Sequence, residues 1–185
     1  MISIINFGSS KTPFISEMVN ELGYAPRIMK WDECNASDFE NDRGIIFSGS
    51  PVFFTEVDFT PYEERFSFIR AGHKPLLGIC FGHQLMGLLH GAKIFRGPEV
   101  RRNETIEIVK NDVLFQDLFP STVMAEDHTE GITLPHGFIH LATSESYLIE
   151  AMRHPVLPLY GTQFHPEVSG DNGKKLIGNF LKSYC

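Results

Sequence analysis

Cysteine is scarce in this chain: three in 185 residues, Cys34, Cys80 and Cys185, widely spaced and with no Cys-x-x-Cys pair. That excludes a disulfide framework and a cysteine-based zinc site, and it suits a reducing compartment. Basic charge is short as well. Sixteen Lys+Arg against 23 Asp+Glu give a formal net charge of −7, so a nucleic-acid surface, which calls for a concentrated cationic excess, is not expected. No apolar run approaches the length a bilayer demands, and the opening residues MISIINFG carry neither a cationic lead nor a cleavable apolar core. We therefore expect a cytoplasmic protein without membrane contact. There is also no Gly-x4-Gly-Lys-Ser/Thr loop and no Gly-x-Gly-x-x-Gly fingerprint, so nothing here would activate an acceptor with ATP or hold a dinucleotide.

What is present is the content of an ordinary globular protein, 42% hydrophobic, most economically one domain over residues 1–185. Its organising stretch is residues 74–90, KPLLGICFGHQLMGLLH. An apolar run at 75–79 reads as a buried strand and the periodic stretch at 81–89 as a helix, with Cys80 at the joint. Gly78 and Gly82 flank it as Gly-x-Cys-x-Gly, the cysteine form of a nucleophile elbow, in which missing side chains let a strand turn sharply into a helix. A thiol there faces first-turn N–H groups whose partial positive charge favours thiolate. Most unpaired cysteines are instead small buried hydrophobes, so the elbow alone leaves both readings open. Far down the chain, residues 160–168, YGTQFHPEV, carry His165 and Glu167 out of an apolar strand. A cysteine nucleophile needs a base within reach and a third group to orient that base, and these two residues supply both.

GICFGHQL followed by QFHPEV resembles the class I (triad) glutamine amidotransferases, and the likeness covers essentially the whole chain. The resemblance implies an α/β, three-layer flavodoxin-like fold, with a mixed, mainly parallel central sheet flanked by helices and a smaller antiparallel part. It implies a triad of Cys80, His165 and Glu167 acting on L-glutamine, with the oxyanion held by backbone N–H groups at Ser50 and Phe81. Gly49, Gln84, Asp127 and His128 would line the substrate, and neither a metal nor an organic cofactor is implied. In the family the turn at 49–51 is usually Gly-Gly-Pro. Here Ser50 stands second, and a serine would be strained if that position required a positive φ. Gln84 matches the glutamine of Cys-x-Gly-x-Gln, although a hydrogen-bonded core amide is the alternative. Asp127 and His128 fall where related domains carry a short turn over the substrate, and they equally suit a turn whose carboxylate bonds its own backbone.

The run GFIHLATSESYLIEAMRHPVLPLYGTQFHPEV is similar to the glutaminase branch of GMP synthase. By that likeness the partner would be an ATP-dependent synthetase that aminates XMP. An amidotransferase serving anthranilate or aminodeoxychorismate synthase, or a γ-glutamyl peptidase or hydrolase of the same fold, stands beside it.

Around these motifs, periodicity predicts strands at 1–7, 25–30 and 44–47. Helices are predicted at 12–22, with Pro13 in the first turn and Gly23 beyond the end, at 61–71 after an aromatic-rich loop at 52–60, and at 173–183. Residues 31–43 read as a solvated acidic face. From Gly91 onward, short strand candidates at 91–95, 104–109, 122–125, 137–142, 147–152 and 157–164 follow with little helix, so part of the sheet is expected to be antiparallel. Arg96, Arg101 and Arg102 form the densest basic group, either a solvated loop or a face for a partner. His83 and His90 read as core or surface residues, since no Asp, Glu or Cys accompanies them at ligand spacing. His73, His136, His140 and His154 show no partner pattern.

Overall fold

The computed structural model describes residues 1–72 and 74–185; His73, to which the sequence gives no role, lies outside them. In chain order the first half runs β1 (Ile2–Asn6), α1 (Thr12–Glu21), β2 (Pro26–Lys30), β3 (Gly44–Phe47), α2 (Thr60–Phe66), β4 (Leu76–Ile79) and α3 (Phe81–Leu89). The second half runs β5 (Ile94–Val100), β6 (Asn103–Ile108), β7 (Ser121–Ala125), β8 (His128–Ile132), β9 (Ile139–Thr143), β10 (Ala151–Arg153), β11 (Leu159–Thr162) and α4 (Gly170–Tyr184). The main sheet has the order β2-β1-β3-β4-β11-β10-β9-β6-β7. Its pairings are parallel from β2 through β11 and antiparallel beyond, while β5 and β8 form a separate antiparallel ribbon.

The strands β3, β4 and β11 are buried along their whole length, as parallel strands covered on both faces must be. Because side chains alternate along a strand, neighbouring residues serve opposite layers. Ile4, Ile46 and Leu77 join Ile15 and Val19 of α1 and Leu176 and Phe180 of α4. Ile5, Ile45 and Leu76 join Tyr62 and Phe66 of α2 and Phe81 and Leu85 of α3. Two cores sandwich one sheet, which is the three-layer arrangement. Among the described residues no helix is long and apolar enough to cross a membrane.

Several expectations need correction. Residues 31–43 are not simply a solvated face: Cys34, Phe39 and Asp42 are buried, and Asp42 Oδ2 accepts from Ser3 Oγ at 2.5 Å and from Arg27 at 2.9 Å. The helix expected at 61–71 is divided into α2 and a 3-10 turn, Ser67–Ala71, which ends at Gly72 with φ 62°. The strand expected at 147–152 shrinks to β10, and that at 91–95 moves on to β5. β5 includes Pro98, tolerated because the ribbon's register is interrupted between Arg96 and Val100. β8 has no counterpart among the sequence expectations. Asp127-His128-Thr129 reads as a turn locally, but pairing with β5 extends the backbone from His128 onward.

The parallel half of the sheet brings the chemistry-bearing segments together. β3, β4 and β11 are adjacent, and their C-terminal ends deliver Ser48-Gly49-Ser50, Cys80 and Gln163-Phe164-His165 to one edge of the sheet, where open α/β sheets hold their ligands.

Candidate active site

Cys80 has φ 50° and ψ −105°, and Asp117 is the only other non-glycine with positive φ among the described residues. A backbone held there costs roughly 1–3 kcal/mol and persists because its surroundings fix it. Those surroundings are specific. Cys80 N–H donates to Thr162 O at 2.8 Å, and Gly82 N–H donates to Ser48 O at 3.1 Å, tying the elbow to both neighbouring strands. A Cβ on Gly78 would lie 2.5 Å from Gly82 O, and one on Gly82 2.5 Å from Phe47 Cβ, so neither glycine admits a side chain. The Phe81 N–H opens α3, where no intrahelical acceptor exists, and is left free to meet a ligand.

His165 is held from the other side. Its N–H donates to Ala125 O at 2.8 Å, and its carbonyl accepts from Ser169 Oγ at 2.6 Å, a hydroxyl that in turn accepts from Ala125 N–H at 2.9 Å. The imidazole Nδ1 lies 2.7 Å from Glu167 Oε1, and both side chains are buried. Burial pulls the His165 pKa down. The negative charge of Cys80 and then that of Glu167 outweigh it, and the pKa stands well above its ordinary value. Gly49 lies against both side chains: a Cβ there would be 3.1 Å from His165 Cε1 and 3.7 Å from Cys80 Cβ. Gln163 Nε2 approaches Cys80 Sγ at 3.6 Å.

A cleft of about 400 Å³, lined by Ser9, Lys11, Ser50, Asp127 and His165 among others, opens in front of these groups. A narrow recess of about 30 Å³ continues it to Cys80, Phe81 and Gln84. Ser50 has no positive φ, so the expected strain is absent; its hydroxyl donates to Phe7 O at 2.8 Å and accepts from Val52 N–H at 3.1 Å. Gln84 borders the recess with its amide already donating to Glu130 O at 3.0 Å and Gln163 Oε1 at 3.1 Å. Asp127 pairs with Lys11 Nζ at 2.5 Å and lies 3.5 Å from Arg101 Nε. Burial pushes its carboxyl up, but the Lys11 ammonium more than reverses this and holds the pKa low. His128 lines the cleft, yet its ring turns behind it: Nδ1 is 2.9 Å from Glu130 O and Nε2 is 3.0 Å from Glu126 Oε2. Burial pushes Glu126 up to about 8, and burial with the Glu126 charge pushes Glu150 up to about 9.

Of the three arginines, Arg101 borders the cleft, whereas Arg96 pairs with Glu56 at 2.8 Å and Arg102 with Glu104 at 2.5 Å. Two contributors escaped the sequence reading. Lys11 carries no local signal at all. Glu130 accepts from Phe54 N–H, Thr55 N–H and Thr55 Oγ1 at 2.8, 2.9 and 2.5 Å, holding Phe54 stacked on Phe81 with ring centroids 4.0 Å apart. That partnership spans about 75 residues of chain, beyond any local pattern. His83, fully buried beneath the elbow, belongs to the core; burial pushes its pKa down to about 3.

A thiol on a strained elbow at the wall of a narrow recess, a buried imidazole tied to a carboxylate and a free helix N–H make a set suited to attack on a carbonyl carbon. Comparison with known proteins points the same way. The family model described as glutamine amidotransferase class-I matches residues 3–183. A glutamine-hydrolyzing GMP synthase subunit of Methanosarcina barkeri is 41% identical over 146 residues, covering 77% of this chain and 74% of that protein. The glutamine-hydrolyzing GMP synthase of Aquifex aeolicus is 31% identical over 188 residues, all of this chain but 36% of that longer protein. A crystal structure of a Thermoplasma acidophilum protein, described as a GMP synthase subunit, superposes with a TM-score of 0.90 at 26% identity, over 98% of this chain and 92% of that one.

Proposed function

The chain belongs to the class I glutamine amidotransferases, and on that footing we propose that it hydrolyses L-glutamine through Cys80, His165 and Glu167 and yields ammonia to a separate synthetase. The observation that carries this reading is the 2.7 Å contact of His165 Nδ1 with Glu167, on an imidazole whose raised pKa reflects the charge of Cys80. Cys80 thiolate attacks the side-chain carboxamide carbon of glutamine. The charge that forms on the amide oxygen is met by the N–H groups of Phe81 and Ser50, one such donor being worth about 3 kcal/mol. His165 gives its Nε2 proton to the nitrogen, the C–N bond breaks, and ammonia leaves a γ-glutamyl thioester on Cys80. The now neutral His165 takes a proton from water, whose oxygen attacks the thioester, and glutamate departs as the thiolate is restored. Glu167 keeps the ring in the tautomer and orientation both steps need.

Gly49 leaves the space between sulfur and imidazole open for the substrate. Gln84 and His128 shape the recess, and Asp127 offers a carboxylate to the α-ammonium group. A reducing, cytoplasmic setting keeps the thiol usable. The relatives named as separate GMP synthase subunits support an ATP-dependent, XMP-aminating synthetase as partner. The test combines this chain with such a synthetase, XMP, ATP and glutamine. GMP should form, be lost in Cys80→Ala and be restored by ammonium salts. Glutamine hydrolysis without GMP would reject the acceptor while keeping the glutaminase. Hydrolysis of γ-glutamyl peptides but not glutamine would reject both.

A further inference from the structure

Behind the cleft, Glu126 and His128 turn inward on either side of Asp127, and Glu150, just before β10, comes to meet them. One ligand atom from each lies within 4.8 Å of the others, and all three residues are buried, with relative exposures of 3%, 7% and 0%. His128 Nδ1 lies 2.9 Å from Glu130 O, a carbonyl that can only accept, so Nδ1–H donates to it. That leaves Nε2 with a lone pair facing Glu126 Oε2 at 3.0 Å. Two lone pairs at this separation repel unless a proton on Glu126 or a metal ion lies between them. Both Glu126 oxygens, Glu150 Oε2 and His128 Nε2 are buried without a hydrogen-bond partner. Glu150's other oxygen is fixed by Ser144 Oγ at 2.7 Å.

We propose that Glu126, His128 and Glu150 bind a divalent metal ion of the Zn²⁺ type, at a site behind the glutamine recess that takes no part in the bond-breaking steps. One imidazole and two carboxylates suit a borderline ion, and a thiolate-preferring ion has no ligand here. A backbone carbonyl on the far ring nitrogen is the usual outer partner of a metal-bound histidine, fixing its tautomer. Tyr147 covers the ring with centroids 4.5 Å apart, and its hydroxyl is occupied by Pro98 O and Thr129 O, so it caps the site and does not ligate. The ion would join β8 to the segment before β10. Through Glu126 it would steady Ala125, to which the His165 backbone is bonded.

The protein is isolated from Zn²⁺-supplemented medium, stripped with chelator and reloaded with Zn²⁺ alone, with metal content, affinity and melting temperature followed. A Cys80→Ala background removes the catalytic thiol as a competing site. We expect stoichiometric Zn²⁺ and a raised melting temperature in that background. Outer partners alone are worth about 10–100-fold in affinity, so Glu126→Gln and Glu150→Gln should each weaken binding by at least about 100-fold. Should the variants fail to fold, the Co²⁺-loaded wild-type protein decides: a spectrum without thiolate-to-cobalt charge transfer supports the oxygen and nitrogen set. Absence of bound metal, binding indifferent to both substitutions, or a thiolate spectrum overturns the proposal, leaving carboxyls that share protons.

Discussion

Two buried histidines in this chain each lie against a carboxylate two positions away in sequence: His165 against Glu167 at 2.7 Å and His128 against Glu126 at 3.0 Å. They are neighbours, since His165 is bonded to Ala125, the residue before Glu126. Their protonation nevertheless runs in opposite directions. Burial acts on both; at His165 it is overcome by the charges of Cys80 and Glu167, while at His128 it prevails and the pKa falls below its ordinary value. A carboxylate close by does not by itself make an imidazolium. What distinguishes the two pairs is the second neighbour, Cys80 at the elbow for His165 and a second carboxyl, Glu150, for His128.

The largest effect that would sharpen this contrast comes from neutralising each carboxylate in turn. Glu167→Gln should lower kcat for glutamine hydrolysis by roughly 10⁴-fold, the loss seen when the orienting member of a triad is removed. Glu126→Gln, measured in the same steady-state assay, should cost less than about tenfold because it touches neither sulfur nor substrate. Equal losses would erase the distinction between the pairs.

Next in size is Gly49→Ala. The new Cβ would crowd His165 Cε1 at 3.1 Å, and a displacement on the order of 1 Å at a reacting group can cost about 10²-fold. We expect a fall in kcat of about 10–100-fold with an almost unchanged melting temperature. An unaffected kcat would mean that the position of His165 is less constrained than the geometry implies.

The smallest effect concerns stability against pH, read by urea unfolding of chelator-treated protein from pH 5 to 9. The raised His165 pKa contributes stability that is complete below 6.5 and fades as pH climbs through the folded value, so the deficit of His165→Gln should be greatest in acid and shrink in alkali. His128, with its pKa lowered, behaves oppositely. Below 6.5 the unfolded chain takes up a proton that the folded one refuses, so His128→Gln should gain on the wild type as pH falls. Each slope should be on the order of 1 kcal/mol per pH unit at most. Slopes of the same sign would contradict the opposed protonation of the two rings.

The elbow and the His165–Glu167 pair were legible in the sequence because their determinants are local. Gly78, Cys80 and Gly82 specify the elbow by spacing, α3 falls at residues 81–89 as its periodicity predicts, and His165 and Glu167 share one short segment. The parallel strands were legible for a similar reason, since burial on both faces writes itself as an unbroken apolar run. The second pair was not. Glu126 and Glu150 come from separate segments, and β8 exists through pairing with β5 rather than through its own polar composition. Glu130's grip on residues 54 and 55 and the Lys11–Asp127 ion pair likewise join distant parts of the chain. Asp42 was read as solvated because its partner Arg27 belongs to β2, a separate segment of the chain.

The role of Cys80 as the nucleophile is tested most directly by offering the protein a glutamine analogue with an electrophilic carbon in place of the carboxamide, then locating the adduct by mass spectrometry. Burial raises the pKa of Cys34 and pushes Cys185 up to about 11, so both should remain unmodified thiols. We predict a single adduct on Cys80, prevented by glutamine and formed in step with the loss of glutamate release. Adducts on Cys34 or Cys185 instead, or undiminished hydrolysis by Cys80→Ala, would contradict it.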